Sequence, residues 1–265
     1  MLQSVSLSQY DLVYNAFSFT IAVMGAATAF LFLNRSQVAP VYRTAISISG
    51  LVTFIAMYHY IRIAASWTES FIVKSGQVTP SGVLFNDAYR YVDWLLTVPL
   101  LLIELILVMK LSRSETVAKA TKLGTLAALM VIMGYPGEIS TDSGTRWLWW
   151  SLSMIPFLVI VYDLFFGLKN SIDSQPESAR GLVSSARYVT VVSWLFYPIV
   201  FTLPMLGFAG GEATTAVQVG YTIADIVSKA GFGILIYMIA VRKSESEAEH
   251  AQSDVVGLSP KPTAV

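Results

Sequence analysis

Lys229 and Asp225 lie four residues apart in a stretch that carries no other charge. On a helix this spacing places both on one face, about 6 Å apart along the axis. A lysine withdrawn from water can form a Schiff base with an aldehyde, and the linkage keeps a nitrogen that takes up and releases a proton. A second apolar stretch carries Arg90, Asp93 and Glu104. Asp93 and Glu104 are separated by close to three helical turns, about 16 Å, so both can face one interior. An aspartate beside a cation is ionised and ready to accept a proton, whereas a carboxyl among Leu and Ile with no cation keeps its proton and can donate it. Thr97, one turn after Asp93, can hydrogen-bond it or the intervening backbone. His59, in a third apolar stretch, can tune a neighbouring carboxylate near physiological pH. The same charges also admit a purely structural reading, as an ion-pair network between helices. The chain has no cysteine, so disulfides and thiolate metal sites are excluded, and no metal site is expected.

These charges stand out because there are so few. Of 265 residues, 55% are hydrophobic and 13% charged, with 17 Lys plus Arg against 17 Asp plus Glu. Mean hydropathy is +0.62. An ordinary soluble domain is roughly 45–50% apolar and about 25% charged, so this chain reads as an integral membrane protein. The composition also excludes a disordered chain and leaves no basic footprint for nucleic acid. About 20 residues of helix cross the hydrocarbon. Seven stretches qualify: 12–33, 44–61, 88–109, 120–137, 147–168, 188–211 and 216–241. The expected fold is therefore all-α, a seven-transmembrane-helix bundle over residues 1–245. The segment 246–265, rich in Ser, Glu and Ala, is expected to be a disordered cytoplasmic tail, and the loop around 69–87 to fold back outside the bilayer.

With the N-terminus outside and the C-terminus inside, twelve Lys and Arg fall on inner segments and only Arg62, Lys74 and Arg146 on outer ones. This bias selects that orientation. Lys229 then sits near mid-membrane. Asp93, Asp225 and His59 lie on its outer side, Arg90 further out, and Glu104 on its inner side. Charges at such depths usually mark a pathway. Trp94, Trp194, Tyr197, Pro198 and Tyr221 frame the same region and can box a long, flat, apolar ligand. Together these features point to all-trans retinal held on Lys229 as a protonated Schiff base. Light would change its shape, Asp93 would accept the proton, and Glu104 would restore it from the inner side, with net outward export.

At these residues the chain resembles the microbial rhodopsin family, and within it the proteorhodopsin and xanthorhodopsin group. The run Tyr89-Arg90-Tyr91-Val92-Asp93-Trp94-Leu95-Leu96-Thr97-Val98-Pro99-Leu100 is similar to that group's third-span signature, with Asp93, Thr97 and Glu104 in its acceptor-to-donor pattern. Trp194-Leu195-Phe196-Tyr197-Pro198 resembles its sixth-span motif, and Asp225-Ile226-Val227-Ser228-Lys229 its counterion and retinal-lysine motif. Tyr135-Pro136-Gly137-Glu138-Ile139-Ser140 looks like the xanthorhodopsin side of the group. The resemblance covers residues 5 to 245.

The resemblance implies a light-driven proton pump rather than an enzyme. Sodium-pumping relatives typically carry Asn, Asp and Gln at the places of Asp93, Thr97 and Glu104; chloride pumps lack the acceptor, and sensory members usually lack the donor. His59 falls where the group pairs a His with the acceptor. Leu101 implies green absorption. Relatives that bind an accessory carotenoid have a Gly where this chain has Trp150, so no carotenoid is expected. The resemblance further implies a multi-pass protein of the bacterial inner (plasma) membrane, surrounded by lipid, forming rings of five or six copies and needing no obligate protein partner. Two other readings remain at this point: a photosensory receptor with the same chromophore, and a seven-helix receptor or transporter that absorbs no visible light.

Overall fold

The computed structural model describes residues 5–86 and 88–257. Seven helices among them are long and apolar enough to cross a membrane. The first three are α1 (Leu7–Asn34), α2 (Arg43–Glu69) and α3 (Ala88–Val108). The fourth is α4 (Arg113–Ile139), and the fifth is α5 (Ser143–Tyr162), prolonged by a π-helical turn over Asp163–Gly167. After the short α6 (Lys169–Asp173) comes α7 (Glu177–Thr202). The last span consists of α8 (Gly210–Asp225), a π-helical turn over Ile226–Gly231, and α9 (Phe232–Gly257). The all-α, seven-helix membrane bundle expected from hydropathy is what the chain forms.

Three of the long helices, α1, α4 and α5, start where a side chain satisfies a free backbone N–H group. Ser6 Oγ accepts from Gln9 N at 3.2 Å while Gln9 Oε1 accepts from Ser6 N at 2.9 Å, a reciprocal cap on α1. Asp142 does the same work for α5, accepting from Thr145 N at 2.7 Å. Pro99, Pro136, Pro156 and Pro198 lie inside helices. Each removes a backbone donor, which packed neighbouring helices can accommodate.

Several boundaries differ from the hydropathy reading. The sixth helix begins eleven residues before Tyr188 and stops at Thr202, short of Gly211. Pro204 and the left-handed Gly207 (φ 87°) end it in a tight turn, which an apolar count cannot register. The loop after α2 folds into a hairpin, β1 (Phe71–Lys74) with β2 (Gln77–Pro80), pairing Val73 with Val78 across Ser75-Gly76. Both turn residues have positive φ, 50° and 77°, as a two-residue hairpin turn requires. The final helix runs to Gly257, beyond residue 246 where a disordered tail was expected to start. Residues 258–265 of that expected tail lie outside the described residues.

The packing is inverted relative to a soluble protein. Phe19, Leu33, Leu148 and Val192 are exposed on the outer faces, whereas Arg90, Asp93, Glu104, Asp225 and Lys229 are at most 3% exposed. The apolar exterior suits contact with lipid. At the hairpin end, Phe71 and Val78 join Tyr10, Phe17, Tyr60 and Trp67 in an aromatic cluster that closes the bundle.

Candidate functional site

The π-helical turn carries Lys229 into the centre of the bundle. Such turns add one residue to a helical circuit and recur at functional sites. The Lys229 ammonium is 1% exposed and touches two carboxylates. Its Nζ lies 2.8 Å from Asp93 Oδ2 on α3 and also donates to Asp225 Oδ1 one turn earlier.

The two carboxylates are held very differently. Asp225 accepts from Tyr60 OH at 2.8 Å, Tyr197 OH at 2.6 Å and Trp94 Nε1 at 3.3 Å. Three donors besides the lysine thus hold its two oxygens. Asp93 has no such set: among the described residues, its Oδ1 makes no hydrogen bond. Thr97 Oγ1 donates at 2.8 Å to the Asp93 backbone carbonyl, bracing the turn rather than the carboxylate. His59 Nδ1 is 3.9 Å from Asp93 Oδ1 and 2.9 Å from Ile55 O. The imidazole is thus beside Asp93 while also being backbone-bonded. Arg90 lies one turn before Asp93, over the rings of Tyr221 (5.4 Å) and Phe17 (5.7 Å). With Arg90 the four buried charges sum to zero, which limits the cost of keeping them from water.

Glu104 stands apart from this cluster, fully buried three turns along α3. Ser49 on α2 is a polar neighbour, and among the described residues neither carboxyl oxygen makes a hydrogen bond of ordinary geometry. No cation accompanies it in an ion pair among the described residues.

A cavity opens from Lys229 between α3, α4, α5 and α7. Counted together with the open space at its mouth, it amounts to about 770 Å³. Trp94, Leu101, Trp194, Tyr197, Pro198 and Tyr221, all expected from sequence, line it together with Lys229. Trp94 meets Tyr197 and Tyr221 edge-on, with ring centroids 5.0 and 5.4 Å apart. Trp150 also lines the cavity, its Nε1 donating to Pro198 O at 3.0 Å. A long apolar molecule with an aldehyde at one end fits this arrangement: rings along its length, and an amine at the closed end.

The sequence reading missed Tyr60 and Ser228. Tyr60 donates to Asp225, and Ser228 Oγ lies 3.1 Å from Tyr197 OH. Tyr60 carried a weak signal, since a tyrosine buried in a membrane helix needs a partner for its hydroxyl. It also missed Met130, Met154 and Phe157 in the cavity wall, which look like any other apolar residues of α4 and α5.

Fold and site thus define a multi-pass membrane protein built around a buried lysine and two carboxylates. The sequence pattern of the family described as "Bacteriorhodopsin-like protein" matches residues 13–243. The chain is 29% identical over 236 residues to a green-light absorbing proteorhodopsin of Gamma-proteobacterium EBAC31A08, covering 88% of this chain and 89% of that one. It is 30% identical over 239 residues to a blue-light absorbing proteorhodopsin of Gamma-proteobacterium Hot 75m4, covering 89% of each. Among solved structures, xanthorhodopsin, described as a light-driven ion pump with dual chromophore, is 50% identical with a TM-score of 0.90, covering 94% of this chain and 99% of that one. A thermophilic rhodopsin is 43% identical, also at 0.90, covering 93% and 99%. The chain belongs to the bacteriorhodopsin-like family: it is a microbial (type 1) rhodopsin, closely related to the proteorhodopsin and xanthorhodopsin-like light-driven pumps. Membership places it with transporters rather than catalytic enzymes.

Proposed function

We propose that this rhodopsin is a light-driven outward proton pump, with Lys229 as the retinal attachment site, Asp93 as proton acceptor and Glu104 as proton donor. The observation that carries the reading is the unequal treatment of the two carboxylates at Lys229. All-trans retinal, bound to Nζ as a protonated Schiff base, supplies absorption of green light and a light-triggered change of shape. Asp225, held by Tyr60, Tyr197 and Trp94, stays a carboxylate and fixes the position of the cation. Asp93, 2.8 Å from Nζ, receives the proton, and charge separation across the pair is lost. His59 tunes Asp93 from the side. Arg90, one turn toward the hairpin end, balances the buried carboxylates with its positive charge. Glu104, in its dry surroundings, holds a proton until Lys229 needs one. Leu101 at the cavity wall supports absorption in the green; a maximum in the blue would remove that assignment.

With the N-terminus outside, the hairpin end faces out and Glu104 lies on the inner side. The similarity to proteobacterial proteorhodopsins supports a place in a bacterial plasma membrane. Illuminated cells in unbuffered salt should acidify the medium, and a protonophore should abolish the signal. A retinal-bound protein that gives no acidification, or alkalinises the medium, overturns the reading.

Glu104→Gln should keep its colour and slow the return of the proton to Lys229 by about a hundredfold, as expected for loss of a positioned proton donor. Flash absorption at neutral pH checks this; unchanged recovery removes the donor role. The related photoreceptor reading predicts slow recovery already in the wild-type protein.

Retinal is proposed as the only chromophore. The Trp150 indole occupies the cavity wall and is tied to Pro198 O. Added carotenoid should contribute nothing to the fluorescence excitation spectrum of the wild-type protein, while Trp150→Gly opens the wall and admits it. Energy transfer in the wild type contradicts this. Assembly into rings of five or six copies is also proposed from the family resemblance, with mass measurement in nanodiscs as its test; a monomer there removes it.

A further inference from the structure

Lys243 is a buried cation that proton transfer as described above does not use. It lies on α9, beyond the apolar part of the last span, and is only 3% exposed. Its ammonium donates to Val108 O at 3.0 Å, Met109 O at 2.9 Å and Gln175 Oε1 at 2.7 Å, and sits 5.2 Å above the Tyr42 ring. These partners come from different elements. Val108 ends α3, Gln175 lies between α6 and α7, and Tyr42 immediately precedes α2. Gln175 Nε2 reinforces the join, donating to Met109 O at 3.2 Å. Beside it, Glu247 accepts from Tyr42 OH and, at 2.9 Å, from Lys110 Nζ.

The position of this knot is what gives it meaning. Glu104 is one turn before Val108, about 6 Å along the same helix. On the opposite side a polar cleft runs between α9 and the segment joining α6 to α7, and both Gln175 and Glu247 line it. The cluster therefore stands between solvent at the C-terminal end of the bundle and the carboxyl that must be recharged. A lysine buried only to cap helix carbonyls would be an expensive cap, since its charge must leave water. Its ammonium is bonded both to the end of α3 and to the segment leading into α7.

We propose that Lys243 is the bolt of an inner gate that controls proton access to Glu104. In the closed form its ammonium ties α9 to the end of α3 and to Gln175. Withdrawal of the ammonium toward the cleft frees the Val108 and Met109 carbonyls for water, and a water file can then reach Glu104. Lys243 is a positioning residue here: it moves no proton itself. The inference rests on the reading of Glu104 as donor.

The test uses full-length protein in lipid vesicles, with a pH-indicator dye reporting proton uptake and visible absorbance reporting reprotonation of Lys229 in the same flash. Lys243→Met keeps the length of the aliphatic stem and removes the ammonium. Uptake should accelerate about tenfold, the effect of losing one charge-assisted bond's worth of barrier, while the absorption maximum and the reprotonation of Lys229 stay unchanged. Gln175→Leu, which leaves the Lys243 bonds to the Val108 and Met109 carbonyls in place, should accelerate uptake less, and Lys243→Arg should restore slow uptake. If uptake is unchanged in both Lys243→Met and Gln175→Leu, the gate is wrong. The donor reading fails separately, through unchanged recovery in Glu104→Gln. In that case, acceleration of dye-reported uptake by Lys243→Met still marks a gate, but one leading to a different group.

Discussion

Asp93→Asn should leave a coloured protein that exports no protons. The substitution preserves the shape of the side chain, so Trp94, Thr97 and the cavity wall need not move. It removes the acceptor that lies 2.8 Å from Lys229 Nζ and, among the described residues, accepts from no hydroxyl. Asp225 is a poor replacement, because taking a proton there would break its bonds from Tyr60 and Tyr197. Light-driven acidification should fall by about two orders of magnitude or more, the usual cost of losing a positioned base. The visible band should shift as well, since one of the two negative charges near the nitrogen is gone. Acidification at wild-type rate in Asp93→Asn would assign the acceptor to another residue.

Lys229→Ala should abolish visible absorption altogether, whatever the retinal concentration. Among the described residues, no other lysine lines the cavity. The variant also has a stability signature. Asp93 and Asp225 would face each other with their shared cation missing, and breaking a buried pair from one side costs about 3–5 kcal/mol. Acid should relieve that penalty, because protonating either carboxylate removes the repulsion. Melting in detergent should therefore be lower than wild type at neutral pH and recover partly as pH falls. A variant that still colours with retinal would dismiss Lys229 as the attachment site.

The two predictions rest on residues that hydropathy and spacing had already singled out. Lys229, Asp225, Asp93 and Glu104 are conspicuous because an ionisable group in a long apolar run carries a large energetic cost, and the four- and eleven-residue spacings fall on helical faces. The aromatic frame was legible for a similar reason, since Trp194, Tyr197 and Pro198 cluster beside a proline kink. Other features depend on contacts between distant segments. Tyr197 was legible as a hydroxyl able to meet an aspartate, but Tyr60 and Trp94 reach Asp225 from α2 and α3, and no local pattern announces them. The π-helical turn at Lys229 has no composition of its own. Lys243 looked like a flanking cation that merely orients the last span; only the fold brings Gln175 and the end of α3 around it. The hairpin did carry a signal, in Phe-Ile-Val-Lys-Ser-Gly-Gln-Val-Thr-Pro, but a short two-stranded turn is easily overshadowed by the helices on either side.

The spacing of Asp93 and Glu104 along α3 has a consequence for work against voltage. In the proposed pump, with Lys229 between them, a proton passing from Glu104 to Asp93 advances about 16 Å, roughly half of a hydrocarbon layer about 30 Å thick. An elementary charge crossing the whole layer against 100 mV costs about 2.3 kcal/mol. About half of that load therefore falls on the two transfers through the lysine. In that proposal the remainder divides between proton entry on the side of Glu104 and exit beyond Asp93. An energised membrane acts as a back-pressure on each leg in proportion to its length, and the helical pitch of α3 sets the largest share.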